Sequence, residues 1–209
     1  MKNNQNGRSM VEMLGVLAII GVLSAGGLAG YSKAMFKHKL NATMDQITML
    51  VTNIRTMYGT QSDYTGLNNG KAVKLGIVPA VMGTGTADDA ALTNPFKGSV
   101  KIAPADSKST SAGVTGFTVL YTGLPKEACI ALATSDFGSG AGSGFIGVDA
   151  AATASGQNAT DLASTDVLGT GASGNVGTSG TRAEGSAYTM SNAIAACSGD
   201  VNSVIWKFY

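Results

Sequence analysis

Apolar and polar positions fall into three textures along the chain. From Met13 to Tyr31 the run MLGVLAIIGVLSAGGLAGY carries no charge, close to the ~20 residues a helix needs to cross a bilayer. Beyond it the pattern becomes one-sided. Tyr31, Met35, Leu40, Met44, Ile47, Val51, Ile54 and Tyr58 recur at helical steps, with Lys33, Lys37, Asn41, Asp45, Gln46, Asn53 and Arg55 between them. That is a helix apolar on one face. No proline interrupts residues 8–58, and Gly59 supplies a stop. The pattern predicts one helix of roughly 50 residues, ~75 Å long, oily all round in its first half and built to pack in its second. A cleaved signal peptide is the competing reading of the apolar run. Against it, the run is long for such a segment, the small-residue cleavage options near Ser24–Ala29 are weak, and the helical pattern continues past them.

The second texture begins at residue 60. Residues 60–95 read as loop with one short helical turn in TGLNNGKAVKLGIVP, where Asn69-Gly70 signals a turn and Pro79 ends the segment. Ser99–Ala103, Phe117–Tyr121 and Phe145–Val148 read as short strands. PKEACIALAT (125–134) reads as a helix with Pro125 in its first turn. SAYTMSNAIAAC (186–197) reads as a second helix, and the terminal VNSVIWKFY as a strand whose apolar members pack on the long helix. The third texture, residues 137–185, is Gly, Ser, Thr, Ala and Asn with few charges, a flexible or loosely folded surface insertion. Within it GSGAGSG (138–144) has part of a phosphate-loop spacing, but no βαβ unit or trailing acid supports a nucleotide site.

Bulk composition narrows the function classes. The formal net charge is +1, so there is no electrostatic case for nucleic acid. Charged residues are only 13% and apolar residues 44%, which excludes an intrinsically disordered chain. The sole histidine, His38, lies between Lys37 and Lys39 and reads as an exposed helix residue; any His-based metal site or Cys–His dyad would need it. No Gly-x-Ser-x-Gly elbow supports a membrane-anchored hydrolase. Asp88-Asp89 are the only adjacent acids, no EF-hand spacing appears, and a calcium loop stays open between the long helix and the sheet or near 136–166. No cofactor is expected. Cys129 and Cys197 read as a structural disulfide or as two buried thiols. The disulfide reading implies an oxidising compartment and closes a loop of roughly 70 residues, worth about 4 kcal/mol in the chain-entropy description.

One residue in the first texture resists a structural reading. GRSMVEMLGVLAIIGVLSAGG (7–27) sets a single acid, Glu12, in the mouth of the oily run, where a lone carboxylate costs roughly 2.5 kcal/mol or more. Gly7, then Arg8-Ser9-Met10-Val11, then Glu12 and the apolar Met13-Leu14-Gly15-Val16-Leu17 resembles the processing motif of type IV pilins. The long helix, the cysteines bracketing a C-terminal region and the final aromatic strand are similar to the same family. The long chain, short leader and wide cysteine spacing resemble its type IVb branch. LGIVP (75–79) and AIAACSGDVNSVIWKFY are similar to the secretory-pilin S type of domain.

The resemblance implies an α+β pilin fold: a long N-terminal helix packed by its C-terminal half against an antiparallel β-sheet, with Gly-rich loops. It implies a prepilin leader at 1–7, a long helix at 8–59 with 13–31 as transmembrane segment and filament core, and a globular domain at 60–209 with a disulfide-bounded region at 129–197. A membrane prepilin peptidase is expected to cut between Gly7 and Arg8, and the new amine to be methylated. The other expected partners are the membrane before assembly, the pilus assembly machinery of the bacterial inner membrane, and further copies in a helical filament outside the cell. Glu12 would pair with the N-terminal amine of an adjacent subunit, each charge offsetting the other's desolvation. The expected role is that of a major pilin; a minor pilin or a secretion pseudopilin is the alternative.

Two features sit uneasily with this pattern. Arg8 stands where the family has an apolar residue. Lys2 and Arg8 precede the span while Lys33, Lys37 and Lys39 follow it, so the positive-inside rule alone would leave the domain in the cytoplasm; the motif and the cysteines place it in the periplasm. Gly15, Gly21, Gly26, Gly27 and Gly30 read either as sites of close helix approach or, at Gly26-Gly27, as a weak stretch of helix.

Overall fold

The computed structural model of the chain describes residues 10–105, 115–137, 144–152 and 189–209. Its elements are α1 (Met10–Tyr58), α2 (Asn69–Lys74), β1 (Leu92–Thr93), β2 (Ser99–Ala105), β3 (Gly116–Leu124), α3 (Lys126–Ala133), β4 (Phe145–Ala152), α4 (Met190–Ala196) and β5 (Asn202–Phe208). The chain divides into two compact units, 1–41 and 42–209, and α1 contributes to each. The first unit, where described, is helix alone. It is unbroken at Gly26 and Gly27.

In the second unit the five strands form one antiparallel sheet in the order β1-β2-β3-β5-β4. The final strand therefore enters between two earlier ones, giving β4 its one ladder in the sheet and β3 the second of its two. Register sets the two faces. Phe117, Val119 and Tyr121 stand opposite Phe208, Trp206 and Val204, and Val148 and Ala150 oppose Trp206 and Val204 from the other side. Val100 and Ile102 extend this inner face across β2. Against it lies the second part of α1, burying Ile47, Leu50, Val51, Ile54 and Tyr58 at steps of three and four. Each such side chain contributes roughly 1.5–3 kcal/mol by leaving water.

Rings stitch this core together. Tyr58 stacks on Tyr64 with centroids 5.4 Å apart, Tyr64 tilts onto Phe117 at 4.9 Å, and Phe117 stacks on Phe208 at 5.5 Å. Tyr121 and Phe137 both meet Trp206 edge-on, at 5.7 and 5.5 Å. The outer face of the central strands is buried too: Thr118, Leu120, Asp149, Ile205 and Lys207 are all 4% exposed or less. Only at β2 does the simple alternation appear, with Lys101 exposed between Val100 and Ile102.

Loops are fixed by side-chain amides. Asn69 donates from Nδ2 to Ala90 O (2.8 Å) and Val100 O (3.0 Å) and accepts at Oδ1 from Ile102 N (2.8 Å), tying α2 to the open edge of β2. Asn94 accepts from Phe96 N and Gly98 N and donates to Thr122 O, closing the β1–β2 turn. There Gly98 runs against Thr122 and Gly123: a Cβ on Gly98 would overlap the Thr122 carbonyl, and Gly123 has φ +70°. The register of β3 against β5 shifts at this place, between Tyr121 and Leu124.

Several sequence expectations are revised. Asn69-Gly70 opens helix α2 rather than a turn. Asn68 caps it, its Oδ1 accepting from Lys71 N at 2.8 Å, and the missing Cβ of Gly70 leaves room for the Ala87 carbonyl. Pro125 is the N-cap of α3, one residue ahead of the first turn. The strands at 99, 117 and 145 run two to four residues further than their apolar cores, because ladder pairing continues through Ala, Gly and Pro positions. The two-residue β1 carries too little pattern to read. Of the helix read at 186–197, Met190–Ala196 is observed and 186–188 lie outside the described residues.

Replacing Asn69 by alanine strands two carbonyls and one amide at a buried site. Chemical denaturation of the detergent-solubilised chain should show a loss of about 3 kcal/mol. Tyr121 offers the opposite case. Its hydroxyl is buried without a hydrogen-bond partner, and burial holds the phenol well above its usual value. Tyr58 and Tyr64 are raised for the same reason, Tyr64 against a lowering pull from Arg55. The unfolded tyrosines lose protons above pH ~10 while the folded ones keep them, so stability falls as pH climbs beyond ~10 toward the raised values. Tyr121→Phe should raise stability at pH 7 by about 1 kcal/mol and flatten that alkaline fall, measured as midpoint against pH.

Candidate functional site: the apolar helix and the disulfide-bounded region

The first unit offers surface rather than a pocket. Large apolar side chains of α1 from Met10 to Tyr31 are exposed on every side, from 50% at Met13 to 83% at Met10. The most apolar window has a mean hydropathy of 2.1 with none of it buried, and α1 is long and apolar enough to cross a membrane. An apolar surface this large marks a membrane or partner contact. Gly15, Gly21, Gly26, Gly27 and Gly30 have no atom within 4 Å of where a Cβ would stand, so no contact described within the chain requires them to be small. Glu12 lies exposed in the first turn of α1, where the helix dipole favours an acid. Gly7 and Arg8 lie outside the described residues. His38 is exposed on α1.

The second unit brings the two cysteines together. Cys129 on α3 and Cys197 at the C-cap of α4 form a disulfide across 68 positions of sequence, with Cα atoms 5.9 Å apart. Both are fully buried. The helices carrying them lie side by side. Asn202 reinforces the junction: its Nδ2 donates to Gly199 O (2.8 Å) and Leu124 O (3.4 Å), and its Oδ1 accepts from Gly199 N (3.1 Å). The residues entering α3 and those leaving α4 are thus held by one amide and one covalent bond.

Arg55 is the least expected member of the core. Its guanidinium lies over the Phe208 ring, 5.4 Å from the centroid. Nε and one Nη are buried without hydrogen-bond partners. Burial lowers its pKa from the ordinary value, opposed by Tyr64 and Tyr209. Beside it a cavity of about 260 Å³ is lined by Thr48, Thr52, Asp136 and Phe137. Thr48, Thr52 and Thr56 each donate their hydroxyl to the carbonyl four residues earlier, at 3.0, 2.8 and 2.8 Å, so their hydroxyl donors are satisfied within the helix. A second cavity of about 710 Å³ follows β2, with Asp88, Asp89 and Lys101 at its wall. Among the described residues no three His, Cys, Asp or Glu side chains gather as a metal site. GSGAGSG, save Gly144, and most of 136–166 lie outside the described residues.

Comparison with known proteins bears on the whole of the second unit. The family described as PilS N terminal matches residues 37–208. The chain belongs to the PilS N-terminal family. The match starts beyond the Gly7–Glu12 motif, so membership rests on the folded part. Two relatives, each named as the major structural subunit of the bundle-forming pilus, come from Escherichia coli O127:H6 (strain E2348/69 / EPEC) and Escherichia coli O111:H-. Each is 27% identical over 140 residues, covering 67% of this chain and 69% of the relative. Among solved structures, the type IVb pilin from Salmonella typhi aligns with a TM-score of 0.50 at 17% identity, covering 79% of this chain and 97% of that one. TcpA, a type IV pilin from Vibrio cholerae El Tor biotype, aligns with a TM-score of 0.50 at 21% identity, covering 82% and 99%. The fold of this PilS-family chain is the α+β fold of type IV pilins.

Arg55, Asn94 and Asn202 went unnoticed in the sequence as structural residues. Arg55 reads as one more polar residue of the helix's wet face, Asn94 as an ordinary residue of the 60–95 loop, and Asn202 as a member of the terminal strand. The disulfide is directly testable. Without reductant, thiol labelling should modify neither cysteine, and the oxidised chain should migrate differently from the reduced one on a gel. Replacing both cysteines by serine should lower stability by about 4 kcal/mol, the chain-entropy value for a loop of this size.

Proposed function

We propose that this chain is a major structural subunit of an extracellular type IV filament, trimmed at its N-terminus and assembled through α1. The observation that carries the reading is the exposed, charge-free length of α1 with one acid in its first turn. The pilin fold of the domain and the names of the bundle-forming-pilus relatives support it. In this reading residues 1–7 are a leader that stays in the cytoplasm. A prepilin peptidase cuts between Gly7 and Arg8, and the new amine is methylated. The domain lies in the periplasm, where a disulfide is at home, until the inner-membrane machinery moves the subunit into the filament.

The physics gives Glu12 its role. A filament core of packed helices and a bilayer are about equally apolar, so apolar side chains supply little preference between them or among registers. A buried carboxylate is different: alone it costs roughly 2.5–3.5 kcal/mol, and the amine of a neighbouring subunit removes that penalty only at one axial offset. Arg8 adds a second cation beside that amine, so one acid answers two positive groups. Glu12→Gln removes the acid and leaves the neighbour's amine as the uncompensated charge, at a similar cost of roughly 2.5 kcal/mol, so the chain should be made, trimmed and membrane-inserted while sheared surface filaments drop by more than about tenfold. Gly7→Leu should leave the leader uncut. Filament yield unchanged in the first variant would remove the register role, and a surface subunit whose mass starts elsewhere than Arg8 would remove the cleavage site.

A further inference from the structure

Positive charge on the far side of the span runs against the usual bias of membrane proteins, and α1 carries it in an unusual arrangement. Tyr31, the last residue of the charge-free run, is 65% exposed. Lys33, Lys37 and His38 after it are exposed as well. Between Glu12 and Asp45 the chain has no acid, so no carboxylate one turn away neutralises these lysines. At about 100° per residue, Lys33, Lys37, His38 and Tyr31 fall within one arc of about 160°, while Met35, Phe36 and Leu40 on the other side of the helix are half-buried. Two lysines, an imidazole and a phenol with no acid within a turn form a cationic, amphipathic face that complements anionic groups. From Tyr31 to His38 the rise is about 10 Å, on the order of the polar headgroup layer that flanks the hydrocarbon. An amphipathic ring next to long cationic side chains is also what that layer accommodates best.

We propose that Tyr31, Lys33, Lys37 and His38 form a collar seated among anionic phospholipid headgroups on the far side of the bilayer, holding the subunit at a set depth until it enters the filament. The proposal rests on the reading of α1 as membrane-inserted before assembly, and goes beyond it by naming the lipid class and the residues. The collar also answers the topology conflict: the motif and the disulfide require these charges to cross, and anionic headgroups then hold them there.

The full chain, reconstituted into phosphatidylcholine vesicles and recovered by flotation, is probed with trace spin-labelled phosphatidylglycerol or spin-labelled phosphatidylcholine. The fraction of each label immobilised at the protein is read by electron paramagnetic resonance. Wild type should favour phosphatidylglycerol by about fivefold for each lysine engaged. K33Q/K37Q, at exposed positions where glutamine is a good helix former, should float equally well and lose most of that preference, as should wild type in high salt. Equal immobilisation of both labels by wild type would overturn the collar while leaving membrane insertion standing. So would a preference that survives in the variant, or lysine-dependent cross-linking of copies without lipid selectivity, which would assign the charges to a second copy. Failure to float with vesicles would sink the insertion reading and the collar with it.

Discussion

The contact between α1 and β5 is the one on which the rest of the domain depends. Phe208 stands at its centre, stacked on Phe117, tilted against Phe145 and covered by the Arg55 guanidinium. Because β5 lies between β3 and β4, removing it would leave β4 without a ladder partner and β3 with β2 alone, and would take Trp206 and Phe208 out of the core. An early helix is thus covered by the last strand. Contacts of such wide sequence separation form late and slowly, and here they join elements that no local signal would bring together.

Much of this architecture could be read from residue order alone. The helix was legible because nothing breaks its period over some fifty residues, and β5 because VIWKF is both β-favouring and apolar. The cysteine pair was legible as a candidate, and its geometry fits a bond without strain in the backbone separation. What stayed hidden has physical causes. Lys207 and Asp149 are buried on the outer side of the sheet, yet alternation in sequence marks such residues as solvent-facing. Asn69-Gly70 carries the chemistry of a tight turn, but tertiary hydrogen bonds from Asn69 to Ala90, Val100 and Ile102 outweigh that local preference. Glu12 was legible as an anomaly, and it lies exposed on α1, since its proposed partner belongs to another subunit.

Polar side chains divide the labour in a consistent way. Asn69, Asn94 and Asn202 each bond two or more backbone groups and hold loops against the sheet where repeating structure gives out. Thr48, Thr52 and Thr56 on α1 do the reverse: they satisfy their hydroxyl donors on their own helix. One set specifies the fold, and the other removes a directional demand from the exposed side of the helix.

The disulfide has a consequence for how this gene can change. Cys129 and Cys197 anchor the chain on either side of the stretch that joins β4 to α4. Lengthening a tethered segment alters the entropy of closing it only logarithmically, by about 0.6 kcal/mol for each doubling, and the covalent tether keeps the unfolded chain closed as well. The closure made by Cys129 and Cys197 is therefore nearly indifferent to how many residues it spans. β5 has no such latitude: a residue inserted there would shift its register against β3 and β4 together.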